Sequence, residues 1–163
     1  MGNKKKEEEL KTKAIKVMDL LQHSADLGNK DALYTIAMVS LVRFFPDIVI
    51  CSANDFFAQF PPNQYFELNP KRAYEHFQRF AAQTGNASAQ SYIAFFHASG
   101  YGNVVPVDQG KAQLYYTFAA NAGDRGAQLA LGYRAWTGIG QKESCQQALS
   151  WYGSAAEQCE WAE

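Results

Sequence analysis

The chain has 163 residues, 47% of them hydrophobic and 19% charged, with 15 Lys and Arg against 16 Asp and Glu for a net charge of −1. That composition is globular, not disordered, and the length allows one domain burying roughly 70% of its unfolded surface. The balanced charge lacks the basic surplus that phosphate contacts require, so no nucleic-acid partner is expected. No apolar run approaches the ~20 residues of a membrane span, so no membrane insertion is expected either.

The start, Met1-Gly2-Asn3-Lys4-Lys5-Lys6, has neither the apolar segment of a secretory signal nor the Ser or Thr at position six of a myristoylation signal. A secretory protein would have had this N-terminus trimmed or rebuilt. A first helix is predicted over 8–27, stopped by Gly28, and a second over 29–44, capped by Asn29. Residues 45–69 break the pattern. This insertion holds Phe56, Phe57, Phe60, Tyr65 and Phe66 between Pro46 and Pro61-Pro62. So apolar a loop either packs onto the helices or meets a partner, which makes its five aromatic residues candidate partner contacts. Asn69-Pro70 then reads as an N-cap with proline in the first helical position. Helices follow over 70–84, 86–99, 109–122, 124–137 and 145–158, the last opened by a capping box of Ser144 and Gln147.

These helices repeat. Phe80-Ala81-Ala82-Gln83-Thr84-Gly85-Asn86 parallels Phe118-Ala119-Ala120-Asn121-Ala122-Gly123-Asp124, and the stretch His23 to Leu33 around Gly28 parallels both. Gly100 and Gly102 lie 15 and 17 residues after Gly85, and Gly138 and Gly140 lie 15 and 17 after Gly123. Gly28, Gly85 and Gly123 suit the left-handed position just past a helix, and each is followed by a capping Asn or Asp. A stop fused to a start forces an antiparallel helical hairpin. The pairs Ala81-Ala82, Ala119-Ala120 and Ala155-Ala156 let helices approach closely. The aromatics one turn earlier, Phe77, Tyr115 with Tyr116, and Trp151 with Tyr152, fill the wedges between hairpins. One hairpin cannot bury its own apolar face, so an all-α stacked solenoid with a concave binding surface follows. Residues 1–163 read as a single helical-repeat domain of about three and a half repeats, near 14–44, 70–102, 109–140 and, in part, 145–158. The fourth unit stops after one helix, so its face around Trp151 and Tyr152 expects another hairpin or a partner.

Catalytic and metal chemistry find no purchase. Cys51, Cys145 and Cys159 form no CxxC, and His23, His76 and His97 make no ligand spacing with them. No catalytic, cofactor-binding or metal residue is expected. His76 and His97 read as ordinary helix-face residues, and Cys145 as a small residue in the first turn of a helix. Asn86-Ala87-Ser88 is an N-glycosylation sequon whose Asn86 competes with its role as an N-cap.

Three stretches carry a family resemblance: Gly100-Tyr101-Gly102-Asn103-Val104-Val105-Pro106-Val107-Asp108-Gln109-Gly110-Lys111-Ala112, Tyr115-Tyr116-Thr117-Phe118-Ala119-Ala120, and Leu131-Gly132-Tyr133-Arg134-Ala135-Trp136-Thr137-Gly138-Ile139-Gly140. With Ser144-Cys145-Gln146-Gln147-Ala148-Leu149, they resemble the Sel-one-like repeat, a relative of the tetratricopeptide hairpin, over residues 14–158. Within that family they resemble the Hrd-three/SEL-one-L adaptor of the endoplasmic-reticulum Hrd ubiquitin ligase. The resemblance implies a right-handed α/α solenoid and a non-catalytic lumenal scaffold in endoplasmic-reticulum-associated degradation. Its implied partners are a ligase subunit, a lectin and misfolded substrates, and it brings no cofactor. The full-length family has many more repeats and a membrane anchor, so the chain is expected to be an N-terminal piece of such an adaptor or a diverged short relative. Self-association stays open. So does a scaffold in a cytoplasmic signalling complex, which the unpaired cysteines and the N-terminus favour. A hydrolase built on the same repeat would need a nucleophile and base in one cleft, and no Ser-x-x-Lys, Gly-x-Ser-x-Gly or His-Cys spacing supplies one.

Overall fold

A helix leaves four N–H groups and four carbonyls unpaired at its ends, and this chain spends its polar residues there. In a computed structural model of the protein the described residues are 2–41, 66 and 68–158, with side chains described from residue 6 onward, and every regular element among them is helical. The α-helices are α1 (Gly2–Asp26), α2 (Lys30–Leu41), α3 (Pro70–Thr84), α4 (Ala87–Ser99), α5 (Gln109–Asn121), α6 (Arg125–Thr137) and α7 (Cys145–Glu157), with a 3-10 turn at Tyr101–Asn103. Most bounds agree with the sequence pattern to within a residue or so. The predicted end of α2 at 44 lies outside the described residues, and α1 begins six residues before its predicted start. Its Lys and Glu residues are strong helix formers, and Glu7 and Lys11 form a spaced ion pair 3.4 Å apart.

The α1–α2 and α5–α6 turns share one geometry. Gly123 has φ +89°, and its N–H donates to the Ala120 carbonyl (3.0 Å) while the Asp124 N–H donates to that of Ala119 (2.9 Å). Gly28, at φ +93°, does the same with Ala25, and Asn29 with Ser24. These are Schellman closures, which only a residue free to take positive φ completes without strain. The next side chain then opens the following helix. Asp124 Oδ2 accepts from the Ala127 N–H (2.8 Å), and Asn29 Oδ1 from those of Asp31 and Ala32. Asn86 and Asn69 cap α4 and α3 in the same way through the N–H groups of Ala89 and Arg72.

The chain forms two compact units, one holding α1–α3 and the other α4–α7. In the first, α2 is buried continuously from Ile36 to Leu41, with α1 and α3 both packed against it. Phe77 and Phe80 of α3 meet Tyr34 of α2 at ring centroid distances of 5.9 and 5.2 Å. The Asn69 N–H donates to the Ser40 carbonyl (3.2 Å) and Arg72 Nη2 to Gln22 Oε1 (3.0 Å), tying α3 to both neighbours. His76 is buried, not displayed on a helix face as its spacing suggested. Its removal from water holds its pKa below the ordinary value, and nearby Arg72 and Arg79 push the same way against Glu75 and Asp26.

In the second unit the core is built on alanine. Ala94, Ala112, Ala119, Ala120 and Ala127 are buried around Leu131 and Tyr116, with Tyr115 and Trp151 packed on the edge. Such small residues bring helices to the short end of the ~8–10 Å range of interaxial distances. Of the predicted small-residue pairs, only Ala119-Ala120 is wholly buried; Ala82 and Ala156 are exposed although their partners Ala81 and Ala155 are covered to different degrees. Tyr152 lies against α6 at Gly132, where an added Cβ would stand 2.8 Å from the ring. Ser88 Oγ donates to the cap residue Asp124 (2.9 Å), fastening the start of α4 to that of α6.

Two outcomes follow. Gly132→Ala gains up to ~1 kcal/mol of helix propensity but overpacks against Tyr152, which costs about 1–3 kcal/mol. It is expected to lower the urea midpoint in the native background and to raise it in a Tyr152→Ala background. For His76 the folded pKa lies below the unfolded one, so protonation favours unfolding. Its contribution is absent well above about pH 6.5, and stability falls as pH drops below that value. Urea midpoints from pH 7.5 to 5 should decline less steeply in His76→Gln than in the native chain, with His97 supplying a residual slope of the same sign.

Candidate functional site

After α6 the chain stops on Gly138, whose N–H donates to the Arg134 carbonyl, and residues 138–144 fold back over the end of that helix. The Ser144 N–H donates to the Ala135 carbonyl (2.8 Å), and Ser144 Oγ accepts from the Gln147 N–H (3.3 Å). The predicted capping box is therefore half made: the Ser144 N–H that Gln147 would have received is taken by Ala135. The Gln147 side chain points instead into a groove between α5 and α7.

Gln113 and Thr117 of α5 form one wall of that groove, Gln147, Ser150 and Trp151 of α7 the other; Leu131 of α6 lines its floor and Gln141 its loop edge, around a volume of about 320 Å³. This lies at the lower end of the range for ligand sites, roughly 300–1,000 Å³. No lining residue ionises in the ordinary pH range. The wall carries amides, hydroxyls, an indole and one aliphatic side chain.

Behind the wall sits a charge. Arg134 is 5% exposed. Its Nε donates to Gln113 Oε1 (2.7 Å), Nη1 to Gln109 Oε1 (2.8 Å) and Nη2 to the Gln109 carbonyl (3.2 Å), and its guanidinium lies 5.8 Å from the centre of the Tyr116 ring. Gly140 makes room for it, since a Cβ there would stand 2.6 Å from Nη2. Burial pulls the guanidinium pKa down and pushes the Tyr116 hydroxyl up to about 12, Arg134 opposing the latter. Arg134 stays a cation, and all its protein partners here are neutral oxygens. Gln113 passes the polarity outward: its Nε2 donates to Gln141 Oε1 (2.9 Å) at the groove edge. Nearby, Gln109 Nε2 donates to the Ala98 carbonyl (2.9 Å), and the Asp108 N–H to that of His97 (2.9 Å), closing the end of α4. The His97 ring stacks on Tyr115, 6.0 Å away and 4° from parallel, so this histidine too is buried.

Of the residues singled out in the sequence, Trp151 lies on the groove wall, and Tyr152 lies on α6 instead of in the groove. Phe66 is half-buried, whereas Phe56, Phe57, Phe60 and Tyr65 lie outside the described residues, as do Cys51 and Cys159. Asn86 is exposed with its Oδ1 on the Ala89 N–H, and Cys145 is exposed at the start of α7. Sequence reasoning missed Gln113, Gln141 and Arg134 as a connected set. The available signal was Gln109 and Gln113 one helical turn apart and an arginine among the apolar residues from Leu129 to Trp136. Among the described residues no group of three His, Cys, Asp or Glu could hold a metal, and no helix is long and apolar enough to cross a membrane.

The Sel1 repeat pattern matches residues 65–84, 87–124 and 126–158, more than half of the chain. The second match takes α4 and α5, before the Gly123 turn, and the third takes α6 and α7, after it, so both are half a repeat out of phase with hairpins counted from that turn. The chain is similar to protein sel-1 homolog 2 of Homo sapiens, 40% identical over 76 residues that make up 47% of this chain and 11% of that protein. The Mus musculus and Rattus norvegicus proteins of that name are 38% identical over the same length. The chain thus spans about a tenth of the curated relatives it matches. A Sel1 repeat protein from Oxalobacter formigenes superposes with a TM-score of 0.66 at 21% identity, covering 86% of this chain and 34% of its own. The cysteine rich protein B of Helicobacter pylori superposes at 0.55 and 19% identity, covering 88% of this chain and 92% of its own. A protective antigen of uropathogenic Escherichia coli displaying an SLR fold does so at 0.53 and 20% identity, covering 86% and 33%.

Arg134→Met leaves Gln113 Oε1 and Gln109 Oε1 without their donors. It is expected to cost about 2 kcal/mol of unfolding free energy in urea titration, and Arg134→Lys less, because lysine keeps the charge but not the fork.

Proposed function

Because the chain belongs to the Sel1 repeat family, we propose that it is a non-catalytic scaffold that binds other proteins, acting as the lumenal, substrate-recruiting adaptor of the endoplasmic-reticulum Hrd ubiquitin ligase. The observation that carries the scaffold reading is the groove between α5 and α7. It is open, and its lining of Gln113, Thr117, Leu131, Gln141, Gln147, Ser150 and Trp151 offers hydrogen bonds and one indole but no group able to act as a general acid or base. Trp151 is a rigid aromatic anchor of the kind that dominates protein interfaces. Tyr152 and the insertion residues Phe56, Phe57, Phe60, Tyr65 and Phe66 belong to the same proposed contact set.

The adaptor role rests on the resemblance of the 100–118 and 131–149 stretches to that branch and on the similarity to protein sel-1 homolog 2. In this reading the partners are a ligase subunit, a lectin and misfolded substrates. Asn86 carries a glycan: attachment at Nδ2 leaves Oδ1 free to go on capping α4. Expressed with an affinity tag in cells that possess the ligase, the protein is expected to co-purify with ligase and lectin and to lose mass on treatment with an N-glycosidase. Cytoplasmic residence with neither partner recovered would overturn the adaptor role and leave the cytoplasmic scaffold as the reading.

A further inference from the structure

We infer that the α5–α7 groove recognises the acidic side chain of an extended segment of a protein partner, with the Gln141 amide as the donor. This rests on the scaffold reading and adds the chemistry of what the scaffold holds. The starting observation is an imbalance. Arg134 is 95% covered, yet no carboxylate among the described residues pairs with it; the ion pairs there, Glu7 with Lys11 and Asp108 with Lys111, involve other residues. Buried charges are ordinarily paired, because removal from water is costly unless an opposite charge offsets it. Here three neutral oxygens solvate the guanidinium and its positive charge stays uncompensated.

That charge reaches the groove along a chain of amides. Arg134 Nε–H donates to Gln113 Oε1, and Gln113 Nε2–H donates to Gln141 Oε1. Each donation draws electron density inward, so the last group, Gln141 Nε2, becomes a stronger donor than an isolated amide. Among the described residues no acceptor takes its hydrogens, and the Trp151 indole N–H and the Gln147 amide on the same groove are likewise unengaged there. Positive potential, outward donors and a lining free of Asp and Glu complement an anion. A side-chain carboxylate fits better than a chain terminus. Terminal carboxylates are captured by clustered backbone N–H groups, whereas this groove offers side-chain donors, from Gln141 in the 138–144 loop and from Gln147, Ser150 and Trp151 of α7. The neighbouring Gln147 amide and Ser150 hydroxyl can then pair with the main chain on either side of the acidic residue.

The test titrates the full chain, followed by NMR of its side-chain amide and indole N–H signals, with three N-acetylated probes. These are acetyl-Ala-Glu-Ala-Glu-Ala-amide, its glutamine isostere, and the isostere with a free C-terminal carboxylate. The glutamate peptide is expected to move the Gln141, Gln147 and Trp151 signals and to bind at least about tenfold more tightly than the isostere at low salt, the equivalent of roughly 1.4 kcal/mol. Added salt should erode that preference. Gln141→Glu, a half-buried loop substitution with its fold checked by circular dichroism, should reduce binding of the glutamate peptide about tenfold or more, while Gln141→Asn retains part of it. Equal binding of the isostere, stronger binding of the free-terminus peptide, or shifts confined to other residues would each overturn the inference. Partner capture by the native chain and by Gln141→Glu separates the two readings. A protein partner held equally by both, with no peptide preference, sinks the groove and leaves the scaffold. A clear peptide preference with no protein captured by either supports the groove's chemistry and sinks the scaffold.

Discussion

At Gly123 the chain ends one helix and begins another within three residues. The glycine turns left-handed so that two N–H groups can close the last carbonyls of α5. Asp124 at once offers its carboxylate to the first N–H groups of α6, leaving no slack for a connecting loop. The two helices must therefore run antiparallel and in contact, and the same holds at Gly28. Everything else in the second unit inherits that closeness. Helices brought together so tightly tolerate only small side chains between them, which is why the buried positions there are largely alanine.

An alanine core contributes little hydrophobic free energy per residue, since each buries about one methyl group, worth ~0.8 kcal/mol per carbon by transfer. The structure compensates at the seams. Helix ends are closed by groups from the next element: the Gln109 side chain on the end of α4, the Ser144 backbone N–H on that of α6, and Gln128 Nε2 on the Ala120 carbonyl at 3.2 Å. Arg134 belongs to this set. It ties α6 to α5 through three hydrogen bonds to Gln113 and Gln109, and the close passage of Gly140 in the 138–144 loop makes room for it. The result is a cation held firmly beneath a neutral surface. The scaffold and its electrostatic character are thus produced by the same residues.

The two units solve burial differently. In the first, the larger rings of Tyr34, Phe77 and Phe80 fill the space beside α2, whose side chains are covered on nearly every side. That leaves His76 in a place from which water has been expelled, and burial, with Arg72 and Arg79 adding to it, holds its pKa down. In the second, His97 is covered by a stacked tyrosine instead. Two buried histidines arrive at the same direction of pKa shift through different neighbours.

Sequence alone determined the helices, their order and their turns, because those depend on local rules: glycine where φ must be positive, Asn, Asp or Ser where N–H groups need an acceptor, small residues where backbones meet. It also pointed to the family, through stretches whose spacing repeats. What only the tertiary structure decided was the groove and the ground beneath it. Gln113 and Gln141 lie 28 positions apart and Arg134 21 from Gln113, so no local pattern joins them; the α5–α6 hairpin and the returning loop do. The same holds for Tyr152, which the repeat marked as a contact residue and which packs on Gly132 because that glycine alone leaves room for its ring. Caps and turns are written in neighbouring residues. A buried charge and the polarity it sends to the surface depend on residues that meet only when the helices stack.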